Sequence, residues 1–216
     1  MKLTDFFYRI RYFLTIWAIS FTLGALLHLF IDFVEIHLFI NHYYTNFFDF
    51  FFKYITLLGD GRMFIPLLLF ALFTKYRDAV NWTIFILIST IIGQTLKRTL
   101  GFPRPYHYFT ELLPSYLHYV DGVKMHAHNS FPSGHSITIF VLATYVSYRY
   151  FPNKLWAQLI ILFVAGMVAF SRVYLSQHFL HDTLAGGFIG ILSVYLGLLI
   201  SEKWQNRKLE NSLLTK

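Results

Sequence analysis

The sequence predicts an all-α polytopic membrane protein, a six-transmembrane helix bundle with a chemically rich outer face and an amphipathic helix lying along the interface. Three observations carry that expectation. Of 216 residues, 56% are hydrophobic and 20% aromatic while only 13% are charged, a balance well outside that of soluble domains. Apolar runs of near-spanning length recur along the chain, and the 25 Phe residues suit lipid tails better than water. The Lys and Arg residues punctuate those runs instead of clustering on one face beside stacking aromatics. That pattern belongs to membrane topology, and it argues against nucleic acid as a partner despite the formal charge of +7. The chain has no cysteine, which excludes disulfides, thiolate metal sites and a cysteine nucleophile.

A spanning helix needs about 20 mainly apolar residues. Six segments qualify: Tyr12 to Phe30, Gly61 to Tyr76, Ala79 to Leu96, His135 to Tyr150, Leu155 to Phe170 and Thr183 to Ser201. The first follows a basic start but lacks a small-residue cleavage site, so it reads as a retained span, not a signal peptide. The second is the shortest in purely apolar length and contains Pro66, which is tolerated in a first helical turn. Between these two, Ile31 to Asp60 alternates Asp32, Glu35, His37, Asn41, His42, Asn46 and Asp49 with aromatics. It cannot cross hydrocarbon and is expected to form an interfacial amphipathic helix ending at Gly59-Asp60-Gly61.

With both termini cytoplasmic, Lys2, Arg9, Arg11, Lys75, Arg77, Arg149, Lys154, Lys203, Arg207, Lys208 and Lys216 lie inside, against Lys53, Arg62, Lys97, Arg98, Arg104, Lys124 and Arg172 outside. The excess favours that orientation. The chain is expected to be one membrane-embedded domain over residues 1–216, with a cytoplasmic tail from about residue 202.

In this orientation two polar segments, Lys97 to Gly134 and Ser171 to Asp182, share the outer face and hold nearly every residue able to do chemistry. Lys97 ends a helix and Arg104 sits in a proline-braced turn, so a point charge and a planar fork could converge on one anion; an interfacial basic anchor is the bland alternative. Ser130-Phe131-Pro132-Ser133-Gly134-His135 opens the fourth span. Ser133 reads as a helix cap, and the free N–H groups around Gly134 suit a phosphate, while His135 enters the membrane face as an ionisable residue. In the last piece, Ser171 to Asp182, His178 and Asp182 are four apart. On a helix they would share a face, the carboxylate fixing the imidazole tautomer. His181 competes with His178 for the reactive role, but its position next to Asp182 is expected to turn it away from that carboxylate. His126, His128, His178 and His181 could supply metal ligands, yet Lys97, Arg104 and Arg172 would repel a divalent ion and attract a phosphate dianion.

Taken together, Lys97-x6-Arg104-Pro105, Pro132-Ser133-Gly134-His135 and Ser171-Arg172-x5-His178-x3-Asp182 resemble the three-part signature of the type 2 phosphatidic acid phosphatase superfamily, which also holds vanadium haloperoxidases and soluble acid phosphatases. The match runs over residues 97–182, and the six-span pattern resembles the membrane branch. That resemblance implies a multi-pass enzyme of the cell (inner) membrane with its site on the periplasmic or extracellular face. It implies hydrolysis of a lipid phosphate or lipid pyrophosphate, with no cofactor, no metal and no obligate protein partner. His178 is implied as nucleophile, Asp182 as its orienter and His135 as acid and base. Lys97, Arg104, Arg172, Ser133 and Gly134 are implied to bind phosphate. A lipid phosphotransferase using the same phosphohistidine is the alternative, and a vanadate-dependent haloperoxidase a remote one.

Overall fold

A computed structural model describes residues 3–112, 116–204 and 206–214, and all regular structure among them is helical. Lys2 and Lys216 of the inside charge set fall outside the described residues. A short α1 (Leu3–Arg9) leads into α2 (Arg11–Phe30), which is followed by α3 (Phe33–His42) and α4 (Asn46–Ile55). Two 3-10 turns, Thr56–Gly59 and Gly61–Met63, precede α5 (Phe64–Thr74) and α6 (Tyr76–Leu100). A helical turn, α7 (Pro105–His107), runs into a π-turn at Tyr108–Leu112. After a long loop come α8 (Gly134–Tyr150), α9 (Leu155–Tyr174) and α10 (Leu180–Ser201).

Among the described residues, four helical runs are long and apolar enough to cross a membrane: Arg11–Phe30, the run that begins with α6, Leu155–Tyr174 and Leu180–Ser201. A fifth arises if Asn46–Gly59 and Gly61–Thr74, bent by 53° at Asp60, are one span. This corrects the expected span from Gly61 to Tyr76: α5 has only 11 residues, about 16 Å of rise against about 30 Å of hydrocarbon. The single interfacial helix expected over Ile31 to Asp60 is also two. Asp32 caps α3 by accepting from Val34 N at 2.7 Å, and Thr45 caps α4 by accepting from Phe48 N at 3.2 Å. Each cap satisfies an orphan N–H at a fresh helix start, so the chain breaks where those side chains compete with the backbone.

The centre of the bundle is the pair α8 and α10, flanked by α6 and α9, with α2 against α9. Small residues set this pairing. A Cβ on Gly186 would lie 2.7 Å from the carbonyl oxygen of Ser133, and one on Gly190 would lie 2.8 Å from that of Ile137. Spaced four apart, these two glycines let the backbones meet where no side chain fits, the usual basis of tight helix contact in lipid. Away from the loop-rich end, buried Asp78 accepts from Tyr145 Oη at 2.6 Å and from Arg149 Nε at 3.0 Å, tying α6 to α8. The tail folds back at that same end: Glu210 pairs with Lys75 at 2.9 Å and also with Arg77, and Asn211 O accepts from Tyr76 N at 2.9 Å.

Candidate active site

At the opposite end of the bundle, the C-terminal turns of α6 and α9 meet the N-terminal turns of α8 and α10. Ser133 is the N-cap of α8: its Oγ accepts from Ser136 N, and its own N–H donates to Asp182 O at 3.0 Å. The starts of the two central helices are thereby pinned together. Beyond Ser133, Gly134 faces open space, with no atom within 4 Å of an added Cβ.

His178 does not lie on a helix, contrary to the expectation from its spacing. It sits in the turn between α9 and α10, where its N–H and that of Gln177 both donate to Arg172 O at 3.0 Å, with Ser176 in the left-handed region at φ 51°. The pairing with Asp182 survives for a different reason. Asp182 is the third residue of α10, and its Oδ2 reaches back to accept from Phe179 N at 2.9 Å, which brings the carboxylate under the imidazole. Nδ1 of His178 lies 3.5 Å from Asp182 Oδ2, and Ser130 Oγ bridges the two, donating to Oδ2 at 2.5 Å and lying 3.5 Å from Nδ1. These neighbours assign the proton to Nδ1 and leave a lone pair on Nε2, where Arg104 Nη1 approaches to 3.4 Å. Burial lowers the imidazole's pKa below its ordinary value, and Asp182 opposes that shift, so His178 is neutral at neutral pH.

The three cations are held by backbone and hydroxyl oxygens instead of carboxylates. Lys97 Nζ donates to Asn129 O at 2.9 Å, Arg104 donates to His128 O at 3.0 Å and Gln177 O at 3.1 Å, and Arg172 Nη1 donates to Thr56 Oγ1 at 2.7 Å. Neutral partners orient these groups without cancelling their charge, which stays available to an anion. His135 shares with Lys97 and Gly134 the wall of a cavity of about 330 Å³ that runs past Gly93 and Ser89 between α5, α6 and α8. It also lies within electrostatic reach of Arg172, Arg104 and Lys97.

All eight residues singled out from the sequence thus stand at one end of the bundle. Ser130 and Thr56 were not foreseen. Ser130 stands in a loop with no spacing that ties it to Asp182, 52 positions on, and Thr56 is 116 positions from the arginine it holds. His181 is a correction: its Nε2 comes within 3.2 Å of Asp182 Oδ1 instead of turning away, because the first turn of α10 curls the two side chains together. Among the described residues no group of three or more His, Cys, Asp or Glu side chains is placed to hold a metal ion. The arrangement sets an oriented imidazole, its Nε2 facing Arg104, beside three cations held by neutral partners, a geometry able to receive an anionic electrophile.

The chain is similar to known proteins in both sequence and fold. The family model for the PAP2 superfamily matches residues 78–206. Lipid A 1-phosphatase of Porphyromonas gingivalis is 37% identical over 76 residues, 35% of this chain and 17% of that protein, so the chain spans only a small part of this relative's length. Undecaprenyl-diphosphatase of Sulfolobus acidocaldarius is 24% identical over 157 residues, 72% of this chain and 71% of that one. Among solved structures, Aquifex aeolicus LpxE superposes with a TM-score of 0.65 at 26% identity, covering 77% of this chain and 94% of that one. The PAP2-type phosphatidylglycerolphosphate phosphatase of Bacillus subtilis superposes at 0.61 over 93% of this chain and 99% of that one; at 23% identity it speaks for the fold.

Proposed function

The chain belongs to the PAP2 superfamily, and from that premise we propose that it removes phosphate from a lipid phosphate or lipid pyrophosphate by a two-step displacement on His178. The observation that carries this reading is the contact of Arg104 with Nε2 of His178, which puts an anion-binding fork beside the atom that attacks. Lys97, Arg104 and Arg172 draw the phosphate in, with Ser133 and the N–H of Gly134 at the positive end of α8. Nε2 forms a bond to phosphorus as the bond to the lipid oxygen breaks; Asp182 holds the imidazolium that results, and His135 gives the leaving oxygen its proton. His135 then takes a proton from water, which displaces phosphate from His178 and restores the enzyme. The cations supply the charge neutralisation that magnesium gives other phosphoryl-transfer enzymes. A lipid hydroxyl in place of water would make the same protein a phosphotransferase.

The relatives named for lipid A and undecaprenyl diphosphate support a lipid-anchored substrate. For topology, we read α2, the bent α4–α5 pair, α6, α8, α9 and α10 as six spans of a cell-membrane protein. α8, with 17 residues and about 25 Å of rise, is the shortest unbroken one. With an even count both termini share a side, the excess of Lys and Arg argues that this side is cytoplasmic, and the site on that reading faces the periplasm or cell exterior.

The test is phosphate release by purified protein in detergent from a panel of lipid phosphates with chelator present, alongside trapping of an acid-labile phosphoprotein. Turnover in chelator and loss of both signals in His178→Ala are expected. Activity that vanishes in chelator and returns with magnesium or zinc would falsify the metal-free reading.

A further inference from the structure

His181 stands behind the candidate site, not in it. It faces an open cavity of about 480 Å³ with Phe21, His28, Asp32, Phe33 and Leu184. Three rings enclose it: Phe179 stacked at 5.7 Å, Phe33 edge-on at 5.7 Å and Phe131 at 6.4 Å, with His28 edge-on at 5.5 Å. A phenylalanine would fill that cage as well. What the cage does not need is the ring nitrogen, and Nε2 is the atom that comes within 3.2 Å of Asp182 Oδ1.

The two carboxylate oxygens of Asp182 are unequal. Oδ2 has Ser130 Oγ, Phe179 N and the imidazole of His178 around it, whereas Oδ1 is buried and takes no aligned hydrogen bond among the described residues. A buried carboxylate oxygen left unpaired is costly, and a slight turn of the His181 ring would align its N–H.

We propose that His181 is a positioning residue for the reaction: its Nε2–H holds Oδ1, fixing the carboxylate plane so that Oδ2 stays under Nδ1 of His178. Without that anchor the carboxylate is free to rotate about its Cβ–Cγ bond, and the imidazole loses the partner that stabilises its charged form as phosphorus is transferred. This rests on His178 being the nucleophile.

Three replacements separate positioning from packing, since glutamine places a donor where Nε2 stands while phenylalanine keeps only the ring. kcat and KM are measured in detergent on the most rapidly hydrolysed lipid of the panel, for His181→Phe, His181→Gln, His181→Ala and His178→Ala, with thermal melting to establish that each is folded. His181→Phe should melt like the unmodified protein and yet lose kcat on the order of 10- to 100-fold, with KM within about threefold, the scale of one charge-assisted hydrogen bond. His181→Gln should recover most of that loss. A packing role predicts the reverse order, with Phe near full activity and Gln no better than Ala, and that order overturns the proposal. Should the Gln protein fail to fold, the Phe protein decides alone. Turnover in His178→Ala overturns the nucleophile assignment and this inference with it; an inactive His178→Ala beside a fully active His181→Phe overturns only the inference.

Discussion

Ser130 illustrates how much of the site rests on a single hydroxyl. It donates to Asp182 Oδ2 at 2.5 Å and lies 3.5 Å from His178 Nδ1, so it closes a gap that the histidine and the carboxylate do not close themselves. Ser130→Ala should therefore lower kcat by about tenfold and leave KM nearly unchanged, as steady-state kinetics on a lipid phosphate would show. Arg104→Lys should cost more, on the order of 2 to 4 kcal/mol in kcat/KM, because an ammonium cannot reach His128 O, Gln177 O and a bound phosphate with one planar fork. The identities of these chemical groups were legible in the sequence, since a cation, a histidine and a carboxylate in polar loops of an apolar chain have few structural uses. Their geometry was not. The spacing of His178 and Asp182 suggested one helical face, whereas the pair forms across a helix start, where the carboxylate turns back to cap the backbone. Partners joined only by tertiary contact, such as Thr56 and Arg172, leave no local trace.

For helices, the sequence signal was strongest where an apolar run is unbroken. The expected Tyr12 to Phe30 is observed as α2 over Arg11–Phe30, and the expected Thr183 to Ser201 as α10 over Leu180–Ser201. Between Ile31 and Tyr76 the break at Gly59-Asp60-Gly61 was legible and is observed at Asp60, but the caps at Asp32 and Thr45 that split the one expected helix into α3 and α4 were not, nor was the short length of α5. Contact between α8 and α10 makes a separate claim. Gly190→Ala pushes a methyl group to 2.8 Å from the Ile137 carbonyl and should lower stability by about 1 to 3 kcal/mol. Gly166→Ala, which meets nothing within 4 Å, should be neutral or gain up to about 1 kcal/mol from helix propensity. Thermal melting of the two proteins side by side in one detergent checks the contrast. Equal melting temperatures would show that the two helices do not pack this closely.

Across the whole molecule the polar groups are segregated, with the candidate site at one end and the Asp78 network and folded tail at the other. Cysteine placed at Thr110 should react with an impermeant thiol reagent in intact cells, while cysteine at the exposed Leu214 should react only after the membrane is opened. The opposite pattern would invert the orientation. One further consequence concerns biosynthesis. Thr56 lies on an early turn, Arg104 and Ser130 in the middle of the chain, and His178 and Asp182 at the threshold of the last long helix. A chain still emerging from the ribosome thus carries its anion-binding groups before it carries the imidazole that reacts. On the proposed mechanism, a product terminated before residue 178 would lack the imidazole that attacks phosphorus.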